Sequence, residues 1–321
     1  MRRFFSDDSF WNTPISADAA ADPRSGHFID LLNCGGDTGL PFWFNIRTYT
    51  IPVYEVDART PRHTVRQIEV DPQRMAARRW GARSTWFKHG PGFGRDVPIP
   101  DHAIPDPEGD HHMAMVDWQA GMVWDMWMCR RRPDGEWESY TGMVYSLRSK
   151  GEWRTADFGV KDGESIHFHG PGRAAGVPII AGLFMHEEIM AGEIRHKLAF
   201  ATWHNAYKQF VAPATWTDGF RDGGIPEGAV MQLDPKLSPD DFKLSPAGRA
   251  IFRALQVYGM VNVDNARGNA IYGEGLYGHK DKSWEGVLDP FEFRQIPLKH
   301  YRVLKLENVI PMGDSREPDR R

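Results

Sequence analysis

From Asp110 to Cys129 the chain reads Asp-His-His-Met-Ala-Met-Val-Asp-Trp-Gln-Ala-Gly-Met-Val-Trp-Asp-Met-Trp-Met-Cys. Carboxylates and imidazoles recur here at the spacing of extended backbone, in which successive side chains point to opposite faces. Asp110, His112, Ala114 and Val116 are therefore expected on one face. A four-residue loop over Trp118 to Gly121, with Gly121 left-handed, sets Asp117 opposite Met122 and His112 opposite Trp127. Asp125 then joins the same face. A three-residue loop would shift the register by one and remove Asp125 and Trp127 from it. Each residue alone also fits a solvated loop or an exposed strand position; it is the group that points to a site. Its chemistry would be proton transfer, since two carboxyl groups in unlike surroundings, one protonated and one ionised, cleave glycosidic bonds.

A second ionisable stretch runs from Glu187 to His204. A helix is expected from about Ala181 to Ala191, ending at Gly192 and carrying His186, Glu187 and Glu188. Carboxylates near a helix carboxyl end oppose the dipole, and residues placed against a local preference often serve chemistry. Alternation after Gly192 then puts Ile194, His196, Leu198 and Phe200 on one strand face and Glu193, Arg195 and Lys197 on the other. The expected catalytic set pairs Asp110 or Asp125 with Glu188 or Glu193. The acid of the pair is the one beside a tryptophan, its pKa raised by desolvation. His112 and His196 orient that pair or, in a polysaccharide lyase, act as the base. Trp124, Trp127 and Trp203 are expected to stack on sugar rings, and Arg195 to pair with a uronic acid carboxylate.

The elements that must position these groups read as strands. The chain has 321 residues, 41% hydrophobic and 26% charged, ordinary for a globular protein with a sizeable core. Much of its aromatic content, with 12 tryptophans, is expected in the core, and flat aromatic faces that stack on sugar rings point modestly to carbohydrate handling. A net charge of −4 argues against a dominant nucleic-acid surface. No stretch approaches the roughly 18 apolar residues of a membrane span. No signal-peptide core precedes Ser6, so the protein is expected to be cytoplasmic or a secreted protein without its leader. Cys34 and Cys129 match no metal or redox spacing and are read either as a disulfide or as two thiols.

Prolines and glycines scattered throughout suit many short strands joined by turns. Strands are expected at 42–45, 50–56, 63–70, 112–116, 122–129, 139–144, 194–202, 230–233, 261–263 and 301–306. A packing helix is expected from the Ser245 cap and Pro246 to Gly259, with Ile251, Leu255 and Tyr258 as its apolar stripe. The fold class is mainly β: one large β-sandwich or jelly-roll-like domain over 1–321 with a few short helices. His167-x-His169 could begin a metal site if His112, His196 or Asp110 supplied a third ligand. No cofactor is expected beyond that alternative. No nucleophile elbow or phosphate-binding loop is present.

Several segments carry a family likeness: Gly176-Val-Pro-Ile-Ile-Ala-Gly182, Gly192-Glu-Ile-Arg-His196, Pro226-Glu-Gly228 and Ala254-Leu-Gln-Val-Tyr-Gly-Met260 with Asp264-Asn265. Over residues 9–275 the chain resembles a family of bacterial proteins, largely secreted, that share an Asp-x-His-Met strand and a Trp-Asn-Thr-Pro opening. The resemblance implies one β-rich domain and assigns no activity. The reading is thus an enzyme acting on a polysaccharide, a hydrolase before a lyase. A carbohydrate-binding β-sandwich and a histidine-ligated metalloenzyme are the alternatives. The partner is a polysaccharide or oligosaccharide; nucleic acid and membrane are not expected.

Overall fold

In a computed structural model, which describes residues 2–33, 41–69, 88–154 and 172–312, the hairpin closes as its turn residues dictate. Gly121 adopts φ 70° and its N–H donates to Asp117 O at 2.8 Å. The Asp117 carboxylate accepts from Ala120 N at 2.8 Å, bracing the turn from within. Asp117 pairs with Met122, Met115 with Trp124 and Ala114 with Asp125. This is the four-residue register.

The hairpin lies in a five-stranded sheet ordered Thr141–Ser146, Met122–Trp127, Met113–Asp117, Ile51–Glu55 and Glu274–Gly275. A six-stranded sheet is ordered Trp43–Asn45, Ala270–Tyr272, Leu198–Thr202, Met260–Asn265, Val230–Leu233 and Tyr301–Val303. Both sheets are mixed: Ile51–Glu55 runs parallel to Met113–Asp117, and Leu198–Thr202 parallel to Met260–Asn265. Strand exceeds helix by 29% to 15%, so the protein is mainly β and sandwich-like, with three short helices among the described residues.

One core joins the sheets. Ala114, Val116 and Val123 of the first meet Ala199, Ala201, Val261 and Val263 of the second, with Ala175, Val177, Ile179 and Ile180 filling the gap. The outer face of the hairpin sheet, through Met113, Met115 and Met126, packs on Tyr54, Val65 and Val97. The outer face of the six-stranded sheet, through Leu198, Phe200 and Met260, packs on the helices. Each fully buried Leu, Ile, Val, Phe or Met contributes roughly 1.5–3 kcal/mol by leaving water.

Helix α1 spans Ser25–Asn33, α2 spans His186–Ala191 and α3 spans Pro246–Val257. In α3 the Ser245 hydroxyl caps Gly248 N at 3.0 Å, and Gly259 turns the chain at φ 75°. The predicted helix over 181–191 is only its second half. Gly182 stands at φ 72°, and a Cβ there would lie 2.6 Å from Ala199 N, so the chain turns tightly against the strand and the helix begins later. Glu187 and Glu188 consequently sit in the first turn of α2, where the dipole favours them; the expectation of unfavourable placement is reversed. The following strand begins at Leu198, so His196 precedes it and does not share its ladder.

An irregularity in the second sheet matters more. Phe200 pairs with Asn262 but Ala201 pairs with Asp264, leaving Val263 as an extra residue. Such a bulge re-aims the next side chain. Asp264 takes the position opposite Ala201, which faces the shared core. No described helix is long and apolar enough to cross a membrane. Cys129 is a buried thiol, and Cys34 lies outside the described residues.

The hairpin register depends on the left-handed residue at its turn. Gly121→Ala is expected to lower stability by about 1–2 kcal/mol, read as a fall in the urea midpoint with unchanged slope. An unshifted midpoint would contradict the role given to this glycine.

Candidate active site

The inner face of the hairpin carries Asp125 and His112. Asp125 is fully buried; its Oδ2 accepts from Tyr145 Oη at 2.8 Å and from Ile179 N at 3.2 Å. Burial pushes its pKa up to about 7, against the opposing pull of those two bonds and the Arg173 charge. His112 is buried, with no hydrogen bond of good geometry at either ring nitrogen; burial together with Arg173 lowers it to about 3, against the opposing pull of Asp106 and the Gly172 backbone. Strict alternation stops at His111, which adopts φ 43°. Asp110 nevertheless stays beside Trp127, whose indole Nε1 donates to Asp110 Oδ1 at 3.3 Å. Desolvation raises the Asp110 pKa, while the Trp127 bond and the Arg173 charge oppose the rise.

Arg173 is the residue around which the two sheets' groups gather, and it was not foreseen. Its side chain is wholly buried, 3.8 Å above the Tyr272 ring centre. Nη2 donates to Ile179 O at 3.1 Å, and Nη1 stands 3.8 Å from Asp264 Oδ2, an ion pair without a hydrogen bond. The segment is fixed by Ala175 N donating to Val263 O, the bulge residue, at 3.1 Å. Gly172 lets it pass close to the hairpin: a Cβ there would lie 2.8 Å from Ile179 Cγ2 and 3.3 Å from Trp127 Cβ.

Asp264 belongs to a group of acids. Burial and then the Asp218 charge raise its pKa well above the ordinary carboxylate range, with Asp110 adding to the rise and Arg173 opposing it. Glu227, fully buried, is raised in the same direction by burial and by Asp218 and Asp264. Asn205 ties the group together, its Nδ2 donating to Asp264 O at 2.7 Å and Asn265 Oδ1 at 3.0 Å. Asn265 Nδ2 in turn donates to the backbone and carboxylate of Asp218. Asp110 and Asp264 are the partly exposed members; the Asp264 side chain is 18% exposed.

The second predicted region forms a separate group. Glu188 and His196 are buried and paired at 3.1 Å, with Glu188 Oε2 also accepting from Met185 N at 2.9 Å and His196 Nδ1 meeting Lys197 O at 2.8 Å. Glu188 Oε2 and both His196 ring nitrogens are occupied in fastening α2 to the approach of the next strand. No hydrogen bond or ion pair links Glu188 or His196 to Asp110, His112 or Asp125 among the described residues. Glu193 and Arg195 are about half exposed and pair with each other at 2.9 Å on the surface. The structure thus does not bring Glu188 or Glu193 into hydrogen bond or ion pair with Asp110 or Asp125 among the described residues; the carboxyl that Asp110 acts on electrostatically is Asp264.

The tryptophans divide likewise. Trp127 lies at the site, with the Tyr140 ring 5.7 Å away. Trp124 cannot share the face of its neighbour Asp125; it packs on the outer core with Arg62 5.8 Å from its ring. Trp203 packs edge-on to Phe220 at 4.9 Å, in the turn that leads into Asn205. Among the described residues no three His, Cys, Asp or Glu side chains form a group able to hold a metal, and His167 and His169 lie outside them. Asp264 had one signal in the sequence, its place in the Asp264-Asn265 motif; Arg173 had none that separates it from a surface arginine.

The pH dependence of stability separates the two groups. Burial alone would lower the His196 pKa, but the Glu188 charge and hydrogen bond outweigh it and the net shift is upward. That contribution is fully present below pH 6.5 and disappears as pH rises through the higher folded value. For Asp125, raised to about 7, the contribution is complete below the ordinary value of 3.8 and disappears as pH rises through about 7. Because His112 and His89 are lowered on folding and add stability as pH rises, the two assignments are read from differences between wild type and variant in urea unfolding from pH 4 to 8. The advantage of wild type over Asp125→Asn should shrink as pH rises through about 7, and its advantage over His196→Gln should shrink only above pH 6.5. A difference that stays constant or grows with pH would refute the corresponding assignment. No protein-family model, curated protein or solved structure matches the chain, so the chemistry must be argued from these groups.

Proposed function

We propose that the protein cleaves glycosidic bonds of a polysaccharide by hydrolysis, with Asp264 and Asp110 as the acid–base pair. The observation that carries this reading is the contrast between two partly exposed carboxyls that act on one buried guanidinium, Asp264 at 3.8 Å from it and Asp110 within its electrostatic reach. Asp264, raised by burial and by neighbouring acids, is suited to keep a proton and deliver it to the leaving oxygen. Asp110 is raised less, holds the Trp127 N–H, and is suited to remain ionised. It then stabilises the oxocarbenium-like transition state and receives the proton as water adds. Trp127, half-buried next to Asp110, offers an aromatic face for a sugar ring.

Elimination, as in a lyase, is less well supported. It needs an accessible base near neutrality: His112 is lowered to about 3, burial raises the Tyr272 hydroxyl well above its usual range, and Asp125, at about 7, is fully buried with Oδ2 held by Tyr145 and Ile179.

A panel of purified polysaccharides, followed by reducing ends and by the absorbance of unsaturated products, tests the reading. Reducing ends should appear without the absorbance. Asp110→Asn and Asp264→Asn should each reduce turnover by about 100-fold or more, and Glu193→Gln should leave it unchanged. Unsaturated products, or full turnover in either aspartate variant, would refute the proposed chemistry.

A further inference from the structure

Six buried polar atoms without hydrogen-bond partners lie on four residues of this site: Nε and Nη1 of Arg173, both ring nitrogens of His112, Thr141 Oγ1 and Asp125 Oδ1. The four side chains are gathered in one place. Thr141 pairs across the strand with Trp127, and a Cβ on Gly172 would stand 3.8 Å from Thr141 Oγ1. The backbone of Ile179 bridges Asp125 and Arg173, accepting from the guanidinium and donating to the carboxyl. Arg173 also acts electrostatically on His112 and Asp125. Buried polar groups are nearly always hydrogen-bonded, and a buried charge without close pairing is among the costliest features a fold can carry. Other unpartnered buried atoms, such as Tyr301 Oη and Asn262 Oδ1, are scattered one to a residue, whereas these are gathered around one buried charge, and that concentration points to a guest.

Donors predominate. Arg173 has only donors, neutral His112 has one, the Thr141 hydroxyl has one, and Asp125 becomes a donor when it holds its proton. The Asp264 carboxylate stands 3.8 Å from Nη1 without a hydrogen bond to it, so the Nε and Nη1 N–H groups lack acceptors while Nη2 donates to Ile179 O. A carboxylate oxygen is the charge-assisted acceptor that such an N–H takes. The surrounding acids Asp110, Asp218 and Glu227 favour a single negative charge over a larger tetrahedral anion. Asp264, next to Nη1, is also the member that reaches solvent.

We infer that the glycan bound here contains a hexuronate, whose carboxylate accepts from the unpartnered N–H groups of Arg173, with Thr141 and His112 as further donors. This rests on the reading of the site as a glycan-cleaving centre. It transfers to Arg173 the anion-pairing role that spacing had suggested for Arg195, which is engaged with Glu193 on the surface.

The test is calorimetric binding of wild-type protein to oligohexuronates of several stereochemistries, their carboxyl-reduced counterparts and sulfated oligosaccharides, with cleavage measured in parallel. One oligohexuronate should bind at least about tenfold tighter than its reduced form, the range of a charged hydrogen-bonded contact. Arg173→Lys should bring that ratio close to one, and Thr141→Val should lower it several-fold. Should Arg173→Lys fail to fold by circular dichroism, the wild-type ratios and Thr141→Val decide. Equal binding of acid and reduced forms, or tighter binding of sulfated glycans, overturns the inference. Cleavage of reduced glycans with no preference for the acid overturns it while leaving the aspartate pair intact. Acid-selective binding without cleavage upholds it and overturns the hydrolytic reading.

Discussion

A guanidinium with no solvent exposure, placed between two sheets, is the constraint to which the rest of this structure answers. Removing an arginine from water costs several kcal/mol after relaxation, and the cost is tolerated only where opposing charge and oriented dipoles converge. Here they converge from three parts of the chain. The hairpin brings Asp110 and Asp125, the bulged strand brings Asp264, and the inter-sheet segment brings Ile179 O and Arg173 itself. The Tyr272 ring closes the remaining face. Each contribution depends on a local backbone feature: a four-residue turn, an extra strand residue, and a glycine that allows close approach.

The same charge distributes protons among the acids. Desolvation pushes Asp110, Asp125, Asp264 and Glu227 toward the protonated form, and Arg173 acts against it on the three aspartates. Glu227 is held by its acidic neighbours and Asp110 by an indole N–H. Unequal surroundings for like groups separate acid from base in one site. Glu188 and His196 show the contrasting case. They are as buried as the site acids, yet saturated by a helix end, a backbone carbonyl and each other. A perturbed histidine there is a structural ion pair.

How much was legible in the sequence follows from which features are local. The hairpin register could be read because Gly121 and the alternation around it fix the pairing, and α3 because a serine cap, a first-position proline and a terminal glycine bracket it. Trp124, expected to stack on sugar, falls on the face away from Asp125, as the same alternation requires. Other features are nonlocal. Val261-Asn-Val-Asp264 has the pattern of an ordinary strand, and the bulge that turns Asp264 inward arises only from pairing with residues some sixty positions away. The parallel neighbours Ile51–Glu55 and Met113–Asp117 are set by connections, not by composition. Gly182 looked like a residue within a helix and serves as its boundary, which reversed the electrostatic reading of Glu187 and Glu188. Arg173 acquires its meaning from burial, and burial is a property of the whole fold.

The proposed hydrolysis requires Asp264 to hold a proton at neutral pH and Asp110 to be ionised. Infrared difference spectroscopy of the substrate-free protein measures this directly, through the carbonyl stretch of protonated carboxyl groups. At neutral pH the wild-type protein should show that band, and Asp264→Asn should lose a component of it that Asp110→Asn retains. A spectrum in which Asp264→Asn leaves the protonated-carboxyl band unchanged would contradict the account.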